Sequence, residues 1–493
     1  MLLKVKILGF LAGRPIAILN QKTADKINVH VGERVKIAKK GKCIISIIDT
    51  AIGLIKPNEI AISNEIVKTL NLKQGNRVEV SLAREPESTI FIKKKLECKP
   101  LNEEELKGII SDIVDNALTE TEIAYFVSSV HKCGMSIKEI EYMIKAIVNT
   151  GKRLKFKGKI VDKHSIGGIA GNRTTPLVVS ICASAGLIIP KTSSRAITSA
   201  AGTADVLEAI TNVEHTLESI KKIIKKTNAC MVWGGSLGLS PADDKLIQVE
   251  RILNLDPEPQ LLASVLSKKI SVGSKYIVID IPYGKSAKVS KKIAKDLKFK
   301  FERISKKFNL KLKCVLTDGS QPIGRGVGPL LEVRDLLAIL KREKHAPKDL
   351  ENKSVFLAGE IFDLCKKTKK GKGKILAKKI LDSGEAYSKF EEIIKAQGGR
   401  LSNLENIDSR LGKLKKKIVA NKSSKIKEID NKKINMLASI AGSPMDNGAG
   451  VELNKHVGNK VKKGEIILTI YSESKTRMRD ALYFYNRYKP VRY

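Results

Sequence analysis

The chain has 493 residues, is 42% hydrophobic and carries a formal net charge of +39. Such a length suits three or four domains of roughly 100–200 residues, and the apolar fraction excludes general disorder. The charge favours anionic partners, but aromatics at 4% and a single tryptophan argue against a binder that stacks nucleic-acid bases.

Residues 1 to 84 read as short strands, among them "KVKILGF", "PIAILN", "INVHV", "RVKIA", "CIISIID" and "NRVEVSLA". They predict a small β-rich domain, a barrel. The spacing turns helical from 85 to 150. Three capping boxes, Asn102 with Glu105, Thr119 with Glu122 and Ser136 with Glu139, mark helix starts. Residues 242 to 272 are helical again and are expected to complete this lobe.

Strand, loop and helix patterns alternate from 151 to 405, which predicts an α/β lobe with largely parallel strands. The apolar run 174–190 is too short and too rich in Ser, Cys and Pro for a membrane span. Two basic stretches, near 370 and from 413, read as exposed turns or linkers. Residues 406 to 493, with repeated glycine turns, predict a second small β-rich domain. The fold class is therefore α/β: a helical lobe plus an α/β phosphate-binding lobe, flanked by small β-rich domains.

The seven cysteines (43, 98, 133, 182, 230, 314 and 365) form no close pairs, which suggests reduced thiols and a cytoplasmic setting. No His or Cys pair has metal-ligand spacing, so neither metal nor cofactor is expected. The N-terminus reads as a strand, not a signal peptide, and neither a membrane nor a nucleic acid is an expected partner.

Two segments carry chemistry. "VDKHSIGG", 161 to 168, ends a strand with Lys163, His164 and Ser165 before two glycines that let backbone N–H groups approach a phosphate. "KTSSRAITSAAGTAD", 191 to 205, sets six hydroxyls around one guanidinium, Arg195. That composition suggests an anion cradle, with the fork of Arg195 on a phosphate. A serine-rich loop or a tight turn would explain either segment alone; two in consecutive strand–loop units favour phosphate binding.

Together they resemble the thymidine and pyrimidine nucleoside phosphorylases: Ser-x-Arg followed by Gly-Thr-x-Asp-x-x-Glu, the "KHSIGG" strand end, and "LTDGSQPIGRGVGPLLEVRD" at 316–335. The forms "LDPEPQLLASVLSKK" and "PIGRGVGP", with the extra N-terminal domain, are similar to the archaeal branch acting on AMP. The resemblance implies attack of inorganic phosphate on C1′ of the ribose, with Lys163, Ser165, Ser193 and Thr203 holding that phosphate. It implies nucleotide binding by Gly168, the run Ser194, Arg195, Ala196, Ile197, Thr198 and Ser199, then Thr203, Ser264 and Lys288. His164 and Lys268 are candidate base contacts, and Asp256 is the implied proton donor. That role would require a raised pKa, which burial can supply. Pyrimidine members place a base-reading arginine where this chain has Val249, with Arg251 two residues on. Loss of that reader with gain of Asp256 favours a different or broader base, with a register shift onto Arg251 left open; AMP is the expected substrate, and activity on CMP and UMP stays open beside it. The partners expected are AMP, inorganic phosphate and further copies of the chain in a homo-oligomer. A pyrimidine nucleoside phosphorylase, a phosphoribosyltransferase and a basic nucleic-acid-binding protein are the competing readings.

Overall fold

The computed structural model describes residues 1–196 and 199–493. It divides into two compact units, one of residues 1–151 with 240–267, the other of 152–239 with 268–493.

In the first unit, β1 (Leu2–Ile7), β2 (Ile16–Asn20), β3 (Arg34–Lys39), β4 (Lys42–Ala51), β5 (Glu59–Ile62) and β6 (Arg77–Leu82) form a closed barrel in the order β1-β5-β2-β4-β3-β6. Alternation drives the closure: Leu3 and Val5 point into a core with Leu19, Ile37 and Ile60, while Leu2 and Lys4 face out. The expected strand "INVHV" is a turn after the helix Gln21–Lys26, and β5 was not expected. Its Ile60, Ala61 and Ile62 are all buried, so the two-residue rhythm that reveals a half-exposed strand is missing.

The helices Glu103–Val114, Glu120–Cys133 and Ile137–Thr150 begin at the three expected capping boxes. Pro241–Leu253 and most of Glu258–Ser271 return to them, so the lobe is completed much where the periodicity placed it. Lys245 closes the helix Glu103–Val114: its Nζ donates to the carbonyls of Ile113 and Val114 at 2.7 and 2.9 Å. Barrel and helices share this unit, tied by Arg34, which pairs with Glu122 and donates from Nε to the Ala117 carbonyl at 2.6 Å. A disulfide joins Cys98 to Cys133, 35 residues apart, and corrects the expectation of reduced thiols throughout. Packing of the helix Ser88–Leu96 against Glu120–Cys133 brings the two sulfurs together, a proximity that spacing along the chain does not reveal.

The second unit is built on parallel strands. β7 (Val161–Ser165), β8 (Ile189–Ser193), β9 (Ala229–Trp233), β10 (Tyr276–Tyr283) and β11 (Lys311–Asp318) fall into the sheets β11-β10-β7 and β8-β9. A parallel bridge between Ile160 and Ile188 links the two. The helix Thr174–Ser184 is buried over nearly its whole length, and no helix among the described residues is long and apolar enough to cross a membrane.

The C-terminal region corrects two expectations. It is mixed, not simply β-rich: the helices Asn431–Ala441 and Lys475–Tyr488 accompany a sheet of Gly326–Val327, Gly450–Leu453, Ile466–Ser472 and Leu414–Val419. The basic stretch from 413 begins as the last of these strands, Leu414–Val419, before it turns. Lys415, Lys416 and Lys417 are all exposed along it, as suits a strand at a sheet edge.

Candidate active site

Strands β7 and β8 run parallel, so their carboxyl ends present Ser165 and Ser193 on the same side, where ligands of open α/β sheets sit. Ser193 Oγ is buried with no hydrogen-bond partner among the described residues. An orphaned hydroxyl is costly unless something else binds it. Thr203 opens the helix Thr203–Glu208, and its Oγ1 accepts from Arg173 Nη1 at 2.7 Å, which leaves its own proton free to donate.

Lys163 and Ser165 are placed differently from the expectation. The Lys163 side chain is 2% exposed and does not reach out from the strand end; its Nζ meets Thr174 Oγ1 at 2.6 Å and Thr175 Oγ1 at 3.4 Å, in the first turn of Thr174–Ser184. Ser165 donates to Asp280 Oδ2 at 3.0 Å, so its proton is directed at a carboxylate. Burial pushes the Lys163 ammonium down to about 7, although Asp280 opposes the shift. Burial and then Lys269, Lys191, Lys163 and Lys268 hold the His164 imidazole well below its ordinary value, so it is neutral.

Sequence reading missed most of the charge behind these strands. Arg173 donates from Nε to Glu332 at 2.5 Å and from Nη2 to the Ala201 carbonyl at 2.7 Å. Asp162 is fully buried between Lys269 Nζ at 2.7 Å and Lys191 Nζ at 3.5 Å. Lys353 Nζ lies 3.0 Å from Asp280 Oδ2. Lys163, Arg173, Lys191, Lys269 and Lys353 thus gather with Asp162, Asp280 and Glu332 behind these strands. Lone lysines in apolar strands were the available signal, and charge counted over the whole chain concealed it.

The loop after β8 surrounds Arg195 with partners of its own. Its guanidinium pairs with Glu208, with Glu214 at 3.0 Å and with Asp205 at 3.5 Å, and lies over the Trp233 ring at 4.7 Å. Three carboxylates lie on the fork, so Arg195 latches the loop. Asp205 closes the same loop, accepting from the backbone N–H groups of Ala196 and Gly202, both at 2.7 Å. Gly202 is required by contact: a Cβ there would stand 2.5 Å from the Ser194 carbonyl oxygen. Ser194 is exposed, Ser199 donates to the Ala201 carbonyl at 2.8 Å, and Ile197 and Thr198 lie outside the described residues.

Gly168 and Lys288 are brought together. At φ +88° a Cβ on Gly168 would be 2.8 Å from Lys288 Cβ, so the turn needs glycine for both conformation and space. Lys268 is half-buried in this same unit.

Asp256 and Ser264 belong to the first unit. Ser264 is half-buried on the helix Glu258–Ser271, and Asp256 precedes that helix as an exposed residue. The burial expected of Asp256 is therefore not there. One turn before Ser264, Gln260 buries both ends of its amide without a partner among the described residues, a feature the sequence did not single out. Val249 is buried and Arg251 exposed; both line a cavity of about 510 Å³ with the turn Gly13–Pro15, Lys245 and Ile252.

Three family models match: the helical bundle domain of the glycosyl transferase family over residues 89–151, its a/b domain over 157–387, and the pyrimidine nucleoside phosphorylase C-terminal domain over 425–488. Among similar curated proteins, the AMP phosphorylase of Methanocaldococcus jannaschii is 43% identical over 95% of this chain and 93% of its own. That of Pyrococcus furiosus is 43% identical over 99% of this chain and 97% of its own, so the likeness includes the barrel. The anthranilate phosphoribosyltransferase of Thermus thermophilus superposes with a TM-score of 0.52 at 20% identity, covering 62% of this chain and 99% of that one, a likeness of fold.

Proposed function

The chain belongs to the AMP phosphorylase family, and from that premise we propose that it cleaves AMP with inorganic phosphate to adenine and ribose 1,5-bisphosphate. A phosphate oxygen forms the new bond to C1′ as the bond from C1′ to the base nitrogen breaks. The base leaves with that electron pair and takes up a proton at purine N7, supplied in this reading by Asp256. Ser193, Thr203 and the ammonium of Lys163 receive the attacking phosphate. Gly168, Lys288, Ser264 and the loop from Ser194 to Ser199 receive the nucleotide.

The observation that carries the reading is the orphaned Ser193 hydroxyl at the end of β8, with the basic side chains of Lys163, Arg173 and Lys191 buried behind it. A buried hydroxyl without a partner is costly, and a phosphate oxygen beside these basic groups would accept from it. Because these cations neutralise the phosphate, turnover is expected to persist in EDTA. Incubation with AMP and phosphate, followed by chromatography, should yield free adenine in proportion to phosphate. Adenosine reacting as well as AMP would remove the nucleotide assignment. CMP and UMP are expected as further substrates, since apolar Val249 replaces the arginine that would select one base. We place the enzyme in the cytoplasm as a homo-oligomer, free of cofactors.

A further inference from the structure

Gln260 is 3% exposed, and neither the oxygen nor the nitrogen of its amide has a hydrogen-bond partner among the described residues. A primary amide carries two N–H donors and an acceptor oxygen, so both functions are buried and unmet. The helix itself does not use them. The backbone N–H of Leu261 donates to the Pro257 carbonyl at 3.0 Å, which makes Pro257 the cap of Glu258–Ser271 and Gln260 its third residue. A glutamine at that position ordinarily reaches back to the N–H of the cap residue. Proline has no N–H, so that bond cannot form and the amide is left for another partner.

The helix shows on which side that partner lies. From Leu261 to Leu266, Leu262, Ala263, Val265 and Leu266 are buried, and Leu261 and Ser264 are half-buried. The two more open positions are three apart and so mark one face. Gln260 precedes Ser264 by four residues and adjoins this face one turn nearer the helix start. Helical side chains lean toward the N-terminus, so the Ser264 side chain is directed along the face toward the turn that holds Gln260.

We propose that Gln260 is a specificity-determining residue whose amide reads the hydrogen-bonding edge of the base. The proposal rests on the phosphorolysis reading above, in which Ser264 receives the nucleotide. Adenine offers an N–H donor at N6 beside an acceptor at N1, and the amide meets them with its oxygen and one N–H, the bidentate match by which a glutamine recognises adenine. That edge leaves N7 to the proton donor. Cytosine offers the same pair at N4 and N3. Uracil offers it reversed, at O4 and N3–H, and a half-turn about the two-fold terminal torsion of glutamine reverses the amide to suit. One side chain thus accepts all three bases, where an arginine, which only donates, would select among them.

The test compares AMP with purine riboside 5′-monophosphate, which lacks the 6-amino group and keeps N7, the ribose and the phosphate. The kcat/KM for base release is measured on the full chain, for wild type and for Gln260→Leu. The two bases differ in intrinsic reactivity, but equally for both enzymes, so a change in the ratio of the two substrates reports the amide. Gln260→Leu should shrink the preference for AMP by roughly 5-fold or more, because it removes the partner of the 6-amino group. Leucine also removes two orphaned buried atoms, so the variant should melt no lower than wild type. An unchanged ratio, with equal losses on both substrates, overturns the proposal. So does a lowered melting temperature with the preference intact, since the amide would then have its partner within the fold. If Gln260→Leu does not fold, Gln260→Met, which keeps the length of the side chain, is judged by the same ratio. Wild type that releases no adenine from AMP would overturn the phosphorolysis reading itself. Wild type active on AMP, with an unmoved ratio in the variant, would overturn only the base contact.

Discussion

Lys163 and Thr203 contribute to anion binding in different ways. Lys163 supplies charge from within the fold, held by two threonine hydroxyls, whereas Thr203 is oriented by Arg173. Lys163→Ala and Thr203→Ala should each raise the KM for inorganic phosphate. A lost charge-assisted hydrogen bond costs about 1.5–3 kcal/mol, roughly 10- to 150-fold in KM. Initial-rate kinetics with phosphate varied would show it, and an unchanged phosphate KM in both variants would remove them from the site. Asp256 calls for a different measurement, because it is exposed within its own unit. If it donates the proton, Asp256→Asn should lower kcat for AMP by roughly 10²–10⁴-fold with little change in KM. A 7-methylated purine nucleotide, whose base leaves without that proton, should be nearly spared. Equal losses on the two substrates would assign Asp256 to positioning.

At the scale of elements, a buried pair holds the helical lobe together. Glu139, the last member of the third capping box, accepts from Ser136 N–H at 2.8 Å and also from Lys95 Nζ at 2.8 Å. The same cap thus starts Ile137–Thr150 and clamps it to Ser88–Leu96. Burial raises the Glu139 carboxyl, but Lys95 and the backbone donors outweigh this and hold it below the ordinary glutamate range. A carboxyl depressed in the folded state contributes stability that is complete above the unfolded pKa and is lost as pH falls through the folded one. Glu139→Gln should therefore destabilise the lobe by about 3–5 kcal/mol at pH 7, leaving Lys95 buried without its partner. Denaturant titration should show the difference from wild type shrinking on acidification; an equal difference at pH 7 and at pH 3 would refute the pairing. Helix starts of this kind are local, with cap and N3 residue three apart, and all three were legible in the sequence. The helices Asn431–Ala441 and Lys475–Tyr488 were not legible. Glycine turns and lysine runs around them masked the apolar positions of their inner faces.

For the whole molecule, the barrel poses the open question. It lies outside the matched family domains but inside the match to the full-length relatives. It holds no catalytic constellation, and its Leu11, Val31, Ile52 and Leu54 are exposed. Exposed apolar side chains of this number suit contact with another copy. Deletion of residues 1–84 should change the oligomer seen by light scattering while leaving measurable adenine release. An unchanged assembly would refute that role. The truncated chain would lose Arg34 and its ties to Glu122 and Ala117, so its helical lobe should also melt earlier.

The sequence by itself determined what depends on neighbours along the chain: the helix caps, the parallel α/β pattern, the strand-end and loop motifs, and through them the family. Short-range geometry makes these readable, since a cap spans three residues and a strand end presents consecutive side chains. Tertiary structure alone decided the partners of the charged groups. Arg195, singled out for its place among hydroxyls, meets Asp205, Glu208 and Glu214, none of which the sequence marked as its partner. Lys163 proved to be buried, and Asp280, Lys353, Arg173 and Lys269 became visible only when distant segments met around β7. Cys98 and Cys133 were likewise joined only by helix packing. The physical reason is common to all of them: Coulomb interaction and desolvation depend on distance and burial in three dimensions, and neither is written in the order of residues along the chain.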